Sequence, residues 1–171
     1  VSYRNKTYVA FASEDIRYYR LMTAWRANDN IEFDFINAHD IYTARDSSTP
    51  ETIKRRLRER LNNTKQVVLL GSADARRKGG NGNSFLAYEV GAIISLNLPV
   101  VVANLDGSRQ GVSGNIPAPF ASKDYYTMSV SFGPTIIKYA LDNYAPDFAG
   151  SEKTGSYFYK ESVYERLGLN K

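Results

Sequence analysis

One carboxylate in this sequence stands apart by its surroundings. Glu89 interrupts residues 84 to 96 (SFLAYEVGAIISL), an otherwise mostly apolar run that reads as a helix, and burying a carboxylate there is unfavourable unless it is used. Phe85, four residues earlier, shares its helical face one turn nearer the helix start. An aromatic ring beside an acid suits a flat cationic ring held next to a negative charge. Ser84 falls roughly 140° away around an ideal helix, so it reaches the same site only as the helix cap. The plainer alternative is a Glu on a partly exposed helical face. Two basic clusters accompany it: Lys54, Arg55, Arg56, Arg58 and Arg60 on one helix, which reads as a solvated face, and Arg76, Arg77 and Lys78 in a polar segment.

The elements that must position these residues alternate regularly. Residues 6 to 12 (KTYVAFA) are β-branched and aromatic, and Ser13-Glu14-Asp15 then reads as a helix start with a capping hydroxyl and two acids. Tyr18, Leu21, Met22 and Trp25 recur at helical spacing over 14 to 28, and 32 to 36 is a second short strand. After a long loop at 37 to 48, Thr49-Pro50-Glu51 opens a helix with the stripe Ile53, Leu57 and Leu61. Residues 65 to 70 (KQVVLL) form a strand buried on both faces, and 71 to 83 reads as a Gly-, Asn- and Arg-rich loop. Beyond the helix that carries Glu89, 99 to 105 is another buried strand, 107 to 123 an irregular link, 125 to 130 a short fifth strand and 134 to 144 a helix. This is the pattern of a doubly wound parallel α/β sheet of about five strands. Residues 1–145 form the domain, and 146–171 an appended extension ending in a short helix, whose apolar residues must dock, preferably on the same chain. In such sheets ligands sit beyond the carboxyl ends of the strands, which nominates Ser13 to Asp15, 37 to 48, 71 to 83 and 105 onward.

Composition removes other chemistries. The chain has 171 residues, 43% hydrophobic and 23% charged, enough for one compact domain. With no cysteine, disulfides, thiolate nucleophiles and iron–sulfur clusters are excluded, and with His39 as the single histidine no metal site is expected. A net charge of +4 does not call for a nucleic-acid partner. The longest apolar stretch, 90 to 105, is broken by Asn97, Pro99 and Asn104, so no membrane span or membrane partner is expected, and the cytoplasm is the expected location.

Three segments carry a resemblance: YVAFASEDIRYY at 8 to 19, QVVLLG at 66 to 71, and a polar loop leading into NSFLAYEVGAI at 83 to 93. In this order they resemble a TIR domain, and in particular the TIR-like proteins of the bacterial Thoeris phage-defence system, over roughly residues 6 to 145. The resemblance implies a flavodoxin-like fold and cleavage of NAD at its nicotinamide glycosidic bond, with NAD as substrate and no separate cofactor. It implies Glu89 as the catalytic glutamate, with Phe85 where enzymatic TIR domains usually carry Trp and Ser84 one residue nearer the glutamate than usual. It further implies ADP-ribose, and from the Thoeris likeness a cyclic isomer, as a signal read by a separate effector. A phage-derived trigger and TIR self-association belong to the same expectation, the latter through the loop that holds His39.

The chemistry fits these residue types. Nicotinamide in NAD is a pyridinium, so it leaves as a neutral base without a general acid while positive charge grows on the ribose. One placed carboxylate is then enough, stabilising that charge or holding the ribose hydroxyls. Two phosphates need donors, for which Ser13, Arg76, Arg77 and Lys78 are the candidates, and Asp15 matches an acid that TIR domains often carry after the first strand. Phe11, Phe85 and Tyr88 offer rings, and the loops at 37 to 48 and 105 to 123 offer lids.

Four rivals share parts of this pattern. A receiver domain needs an Asp ending the third strand and a Lys ending the fifth; Asp74 comes late and no Lys ends the fifth. A dehydrogenase needs G-x-G-x-x-G after the first strand, and there is none. A nucleoside deoxyribosyltransferase-like enzyme also breaks an N-glycosidic bond with a carboxylate on a comparable helix. A non-catalytic TIR interaction module is the rival of another class, and burial of Glu89 against its neighbours would favour it.

Overall fold

The computed structural model describes residues 6–27, 35–36 and 49–169. Strand β1 (Thr7–Ala10) leads through a 3-10 turn (Ser13–Asp15) into α1 (Ile16–Ala27), and β2 is Phe35–Ile36. Then come α2 (Pro50–Asn62), β3 (Gln66–Gly71), α3 (Ala73–Gly79), α4 (Phe85–Ser95) and β4 (Val100–Asn104). After a 3-10 turn (Ser113–Asn115), α5 (Ala118–Ser122), β5 (Thr127–Ser131), α6 (Pro134–Phe148), β6 (Ser156–Phe158) and α7 (Glu161–Arg166) complete the order. The strands form one sheet in the order β2-β1-β3-β4-β5-β6 with every pair parallel, as the flavodoxin-like reading requires. The expected five strands are β1 to β5, and the sixth comes from the tail.

Local sequence accounts for most of these elements. Thr49 caps α2 by accepting from the Thr52 N–H, Pro50 needs no hydrogen bond at the first position, and Ile53, Leu57 and Leu61 form its buried stripe. β3 and β4 are buried along their whole length because neighbouring strands and helices cover both faces. Helix α6 packs on β3, β4 and β5, and its Tyr144 ties the strands from below: the phenol donates to Tyr126 O at 2.6 Å and accepts from Val100 N at 2.9 Å.

Two segments read as irregular turn out helical. Residues 71 to 83 contain α3, capped by Ser72, with Asp74 in its first turn and Arg76, Arg77 and Lys78 in its last, a charge order that suits the helix dipole. Gly79 ends it where a Cβ would lie 2.6 Å from the Pro117 ring, so only glycine lets α3 approach α5 this closely. The link at 107 to 123 contains α5, too short to show a period. Ser13 to Asp15 is a 3-10 turn whose Ser13 does not cap α1. The loop at 37 to 48, with His39, lies outside the described residues.

The tail extends the sheet. β6 pairs with β5 in parallel, Tyr164 of α7 is fully buried, and its phenol accepts from the Ser131 N–H at 3.2 Å at the carboxyl end of β5. Helix α6 itself runs on to Phe148, past residue 145.

Candidate active site

The strand order places the switch point between β1 and β3, the crevice where such sheets hold ligands. Ser72, the first residue after β3, joins the two sides. Its hydroxyl accepts from the Ala75 N–H at 3.0 Å, capping α3, and donates to Asp15 Oδ2 at 2.5 Å. Asp15 is buried, which pushes its carboxyl above the usual range; the Ser72 bond offsets part of this, and the charges of Asp74 and Glu14 add to the rise.

On the outer rim, Glu14 is held from two directions. One carboxylate oxygen lies 2.7 Å from Lys78 Nζ and the other 2.9 Å from Arg77 Nη2. Arg77 also reaches Asp74 at 2.7 Å, and Lys78 donates to Ser13 Oγ at 2.9 Å. The Lys78 bond is the main cause that brings the Glu14 carboxyl down to about 2. The turn after β1 and helix α3 after β3 are thus fastened across the crevice by ion pairs and hydroxyl bonds.

Glu89 lies on α4 and is 1% exposed. The phenol of Tyr8, the second residue of β1, donates to its Oε2, which ties the carboxylate to that strand. Ser84 is the cap of α4: its Oγ accepts from the Ala87 N–H at 2.9 Å and donates to Lys78 O at 2.5 Å, so it joins α4 to the end of α3.

The family described as "Thoeris protein ThsB, TIR-like domain" matches residues 8–110, more than half of the chain. The chain belongs to the Thoeris ThsB TIR-like family. Membership upholds the resemblance read from the sequence and ties the protein to anti-phage defence. The matched stretch of this TIR-like fold runs from β1 through β4, so it contains the crevice, the Ser13–Asp15 turn and Glu89, and stops before β5, β6 and α7.

Within the TIR-like framework, the expected site residues divide into groups. Ser13, Asp15 and Arg77 come together at the crevice rim, with Lys78. Glu89 meets β1 through Tyr8. Arg76 goes elsewhere, with Nη1 on Ser113 O at 2.5 Å and Ile116 O at 3.3 Å. Phe11 stacks on Tyr19 of α1 with ring centroids 4.8 Å apart, Phe85 packs against the core, and Lys54 sits 5.7 Å from the Tyr88 ring centre. The segment at 105 to 117 is fastened rather than free: beyond Arg76, Asn115 donates to Asn104 and Asp106, and Arg109 pairs with Glu161 at 2.6 Å.

Sequence reasoning missed Tyr8, Ser72 and the double pairing of Glu14. A tyrosine inside a buried strand and a serine directly after one were the available signals. Two cavities, of about 260 and 220 Å³, lie against the amino-terminal ends of β5 and β6 and around the end of α6, with no wall from β1, β3 or α4. Among the described residues no group of His, Cys, Asp and Glu could hold a metal ion, and no helix is long and apolar enough to cross a membrane.

Proposed function

We propose that this protein cleaves NAD at the nicotinamide glycosidic bond, with Glu89 as the catalytic carboxylate and a cyclic ADP-ribose isomer as the product that a separate effector reads. The observation that carries this reading is a carboxylate on an apolar helix, oriented by Tyr8 from β1, one of the two strands that flank the switch point. In the reaction the bond between the ribose anomeric carbon and the pyridinium nitrogen breaks, and its electron pair goes to nicotinamide. Glu89 stabilises the positive charge left on the ribose. An adenine nitrogen or a ribose hydroxyl of the same molecule then captures that carbon and gives up its proton to the Glu89 carboxylate, which requires about 3–3.5 Å approach with water excluded. Arg77, Lys78 and Ser13 serve the pyrophosphate.

The burial of Glu89 favours a second reading, a TIR module that assembles partners and keeps Glu89 as a structural acid. Under the catalytic reading the same burial describes a closed resting state that opens when triggered. The deciding assay incubates NAD with protein recovered from phage-challenged cells and resolves products by mass and chromatography. Glu89→Gln keeps the side-chain shape and removes the charge, so cleavage should fall at least about 100-fold in a folded variant. Near-wild-type cleavage by that variant rejects the catalytic assignment. A triggered wild type that self-associates without consuming NAD establishes the module reading. Linear ADP-ribose as the sole product rejects cyclisation and leaves Glu89 in place.

A further inference from the structure

We propose that the Glu14 carboxylate occupies an oxyanion seat built from Ser13, Arg77 and Lys78, and that a phosphoryl group takes this seat when Glu14 swings out. This rests on the reading of the crevice as the NAD site and adds a gate to it: the resting protein is closed by its own side chain.

The contacts around Glu14 are those a bound oxyanion would make. Its two oxygens go to two different cations, Oε1 to Lys78 at 2.7 Å and Oε2 to Arg77 at 2.9 Å. The Ser13 hydroxyl closes the ring, accepting from Lys78 at 2.9 Å and donating to Glu14 Oε1 at 3.0 Å. Two cations and a hydroxyl converging on paired oxygens match one face of a phosphate as well as a carboxylate. The seat adjoins the Ser72–Asp15 bond that spans the β1 and β3 ends, so a phosphoryl group held there lies at the switch point.

Charge explains why the seat is closed at rest. Arg77 and Lys78 supply two positive charges, and Glu14 and Asp74 two negative ones with the Asp15 carboxyl beside them, so the closed cluster offers an incoming anion no net attraction. The pairs are also easy to open. Arg77 is 60% and Glu14 38% exposed, and exposed ion pairs hold weakly. A pyrophosphate, with more charge than one carboxylate, competes for the same donors and leaves Glu14 in water.

The test titrates the full chain with inorganic pyrophosphate by calorimetry at low ionic strength, where surface attraction is least screened. Glu14→Gln should bind at least about tenfold more tightly than wild type. Adding Arg77→Met to that variant should return affinity to the wild-type level or below. Glu14→Asp, which keeps the charge and is one methylene shorter, should fall between wild type and Glu14→Gln, and it carries the test if the amide variant does not fold. Glu152→Gln, an exposed acid elsewhere that changes net charge equally, is the control. No gain in Glu14→Gln, or an equal gain in Glu152→Gln, overturns the proposal and leaves Glu14 as a structural clasp. Pyrophosphate binding does not involve Glu89: a tightened seat in a protein that never consumes NAD separates failure of the cleavage reading from failure of the gate.

Discussion

The carboxyl ends of the strands are finished in two ways in this molecule. Around β1 and β3 they carry acids, Asp15 under Ser72 and Glu14 between Arg77 and Lys78, and a third acid, Glu89, is bonded to β1 through Tyr8. Around β4 and β5 they are sealed with amides, an aromatic side chain and backbone, and the acids that take part, Asp106 and Glu161, are exposed. Asn104, fully buried, donates to Ser108 O and Gln110 O, and accepts from Asn115. Tyr164 plugs the end of β5 with Arg109 4.2 Å above its ring, while Arg109 also donates to Leu169 O at 3.1 Å. Both arrangements satisfy strand ends, and the second shows that it can be done without a buried acid. The buried acids Asp15 and Glu89 are therefore poorly explained by stability alone, which supports the chemistry proposed for them.

The sharpest way to break this contrast is to unseal the second edge. Tyr164→Ala removes a fully buried ring and leaves the Ser131 N–H without its acceptor, so it should destabilise the protein by about 3–5 kcal/mol, read in urea or as a melting temperature lower by about 10 °C. Deleting residues 151–171 should do at least as much, because it also strips β6 from β5. A loss below about 1 kcal/mol for Tyr164→Ala would mean that the tail decorates this edge and does not seal it.

That seal lay beyond easy reading of the sequence, whereas the crevice was half legible. The β-α alternation, the buried strands QVVLL and VVVAN and the Ile53-Leu57-Leu61 stripe are written in local periodicity, so the sheet and its switch point could be inferred. Helix α3 was not, although Ser72, Asp74, the basic last turn and Gly79 are a complete set of helix signals; the Gly-Gly-Asn-Gly run after it masked them. β6 has three residues, all exposed, and such an edge strand has no alternation to detect. Glu89 stood out because one acid in an apolar helix is a local anomaly. Its partner Tyr8 is 81 residues away, and that pairing exists only once β1 and α4 are neighbours.

A smaller effect compares one phenol from each edge. Tyr8→Phe takes a donor from the buried Glu89 carboxyl and should cost about 1–3 kcal/mol, since losing one partner exposes the other to desolvation. Tyr164→Phe takes only an acceptor from a backbone N–H, so its cost should be nearer 1 kcal/mol. Paired denaturant titrations measure both. Equal costs would remove the distinction drawn between an edge with buried acids and one sealed without them. Tyr8→Phe should also slow the proposed NAD cleavage, whereas Tyr164→Phe should not if its fold is kept.

The smallest effect has the opposite sign. Burial holds the Asp15 carboxyl above its ordinary value of 3.8, so its ionised form weakens the fold at neutral pH. Asp15→Asn can still accept from Ser72 through its amide oxygen and carries no charge, so it should stabilise the protein by about 0.5–1 kcal/mol, near 2 °C in melting temperature. The sign follows from linkage: a carboxyl with a raised folded-state value is least costly when protonated, so the advantage of the variant grows as pH rises above the ordinary value of 3.8 and is complete once Asp15 ionises in the folded chain. It should shrink as pH falls and vanish below about 4, where Asp15 is protonated in both folded and unfolded chains. The comparison variant is Asn104→Asp at the sealed edge, which adds a buried acid where the amide donates to Ser108 and Gln110 carbonyls, and which should be destabilising with its penalty growing as pH rises. If Asp15→Asn instead destabilises at pH 7, the charge of Asp15 supports the fold, and its place at the crevice needs no functional explanation.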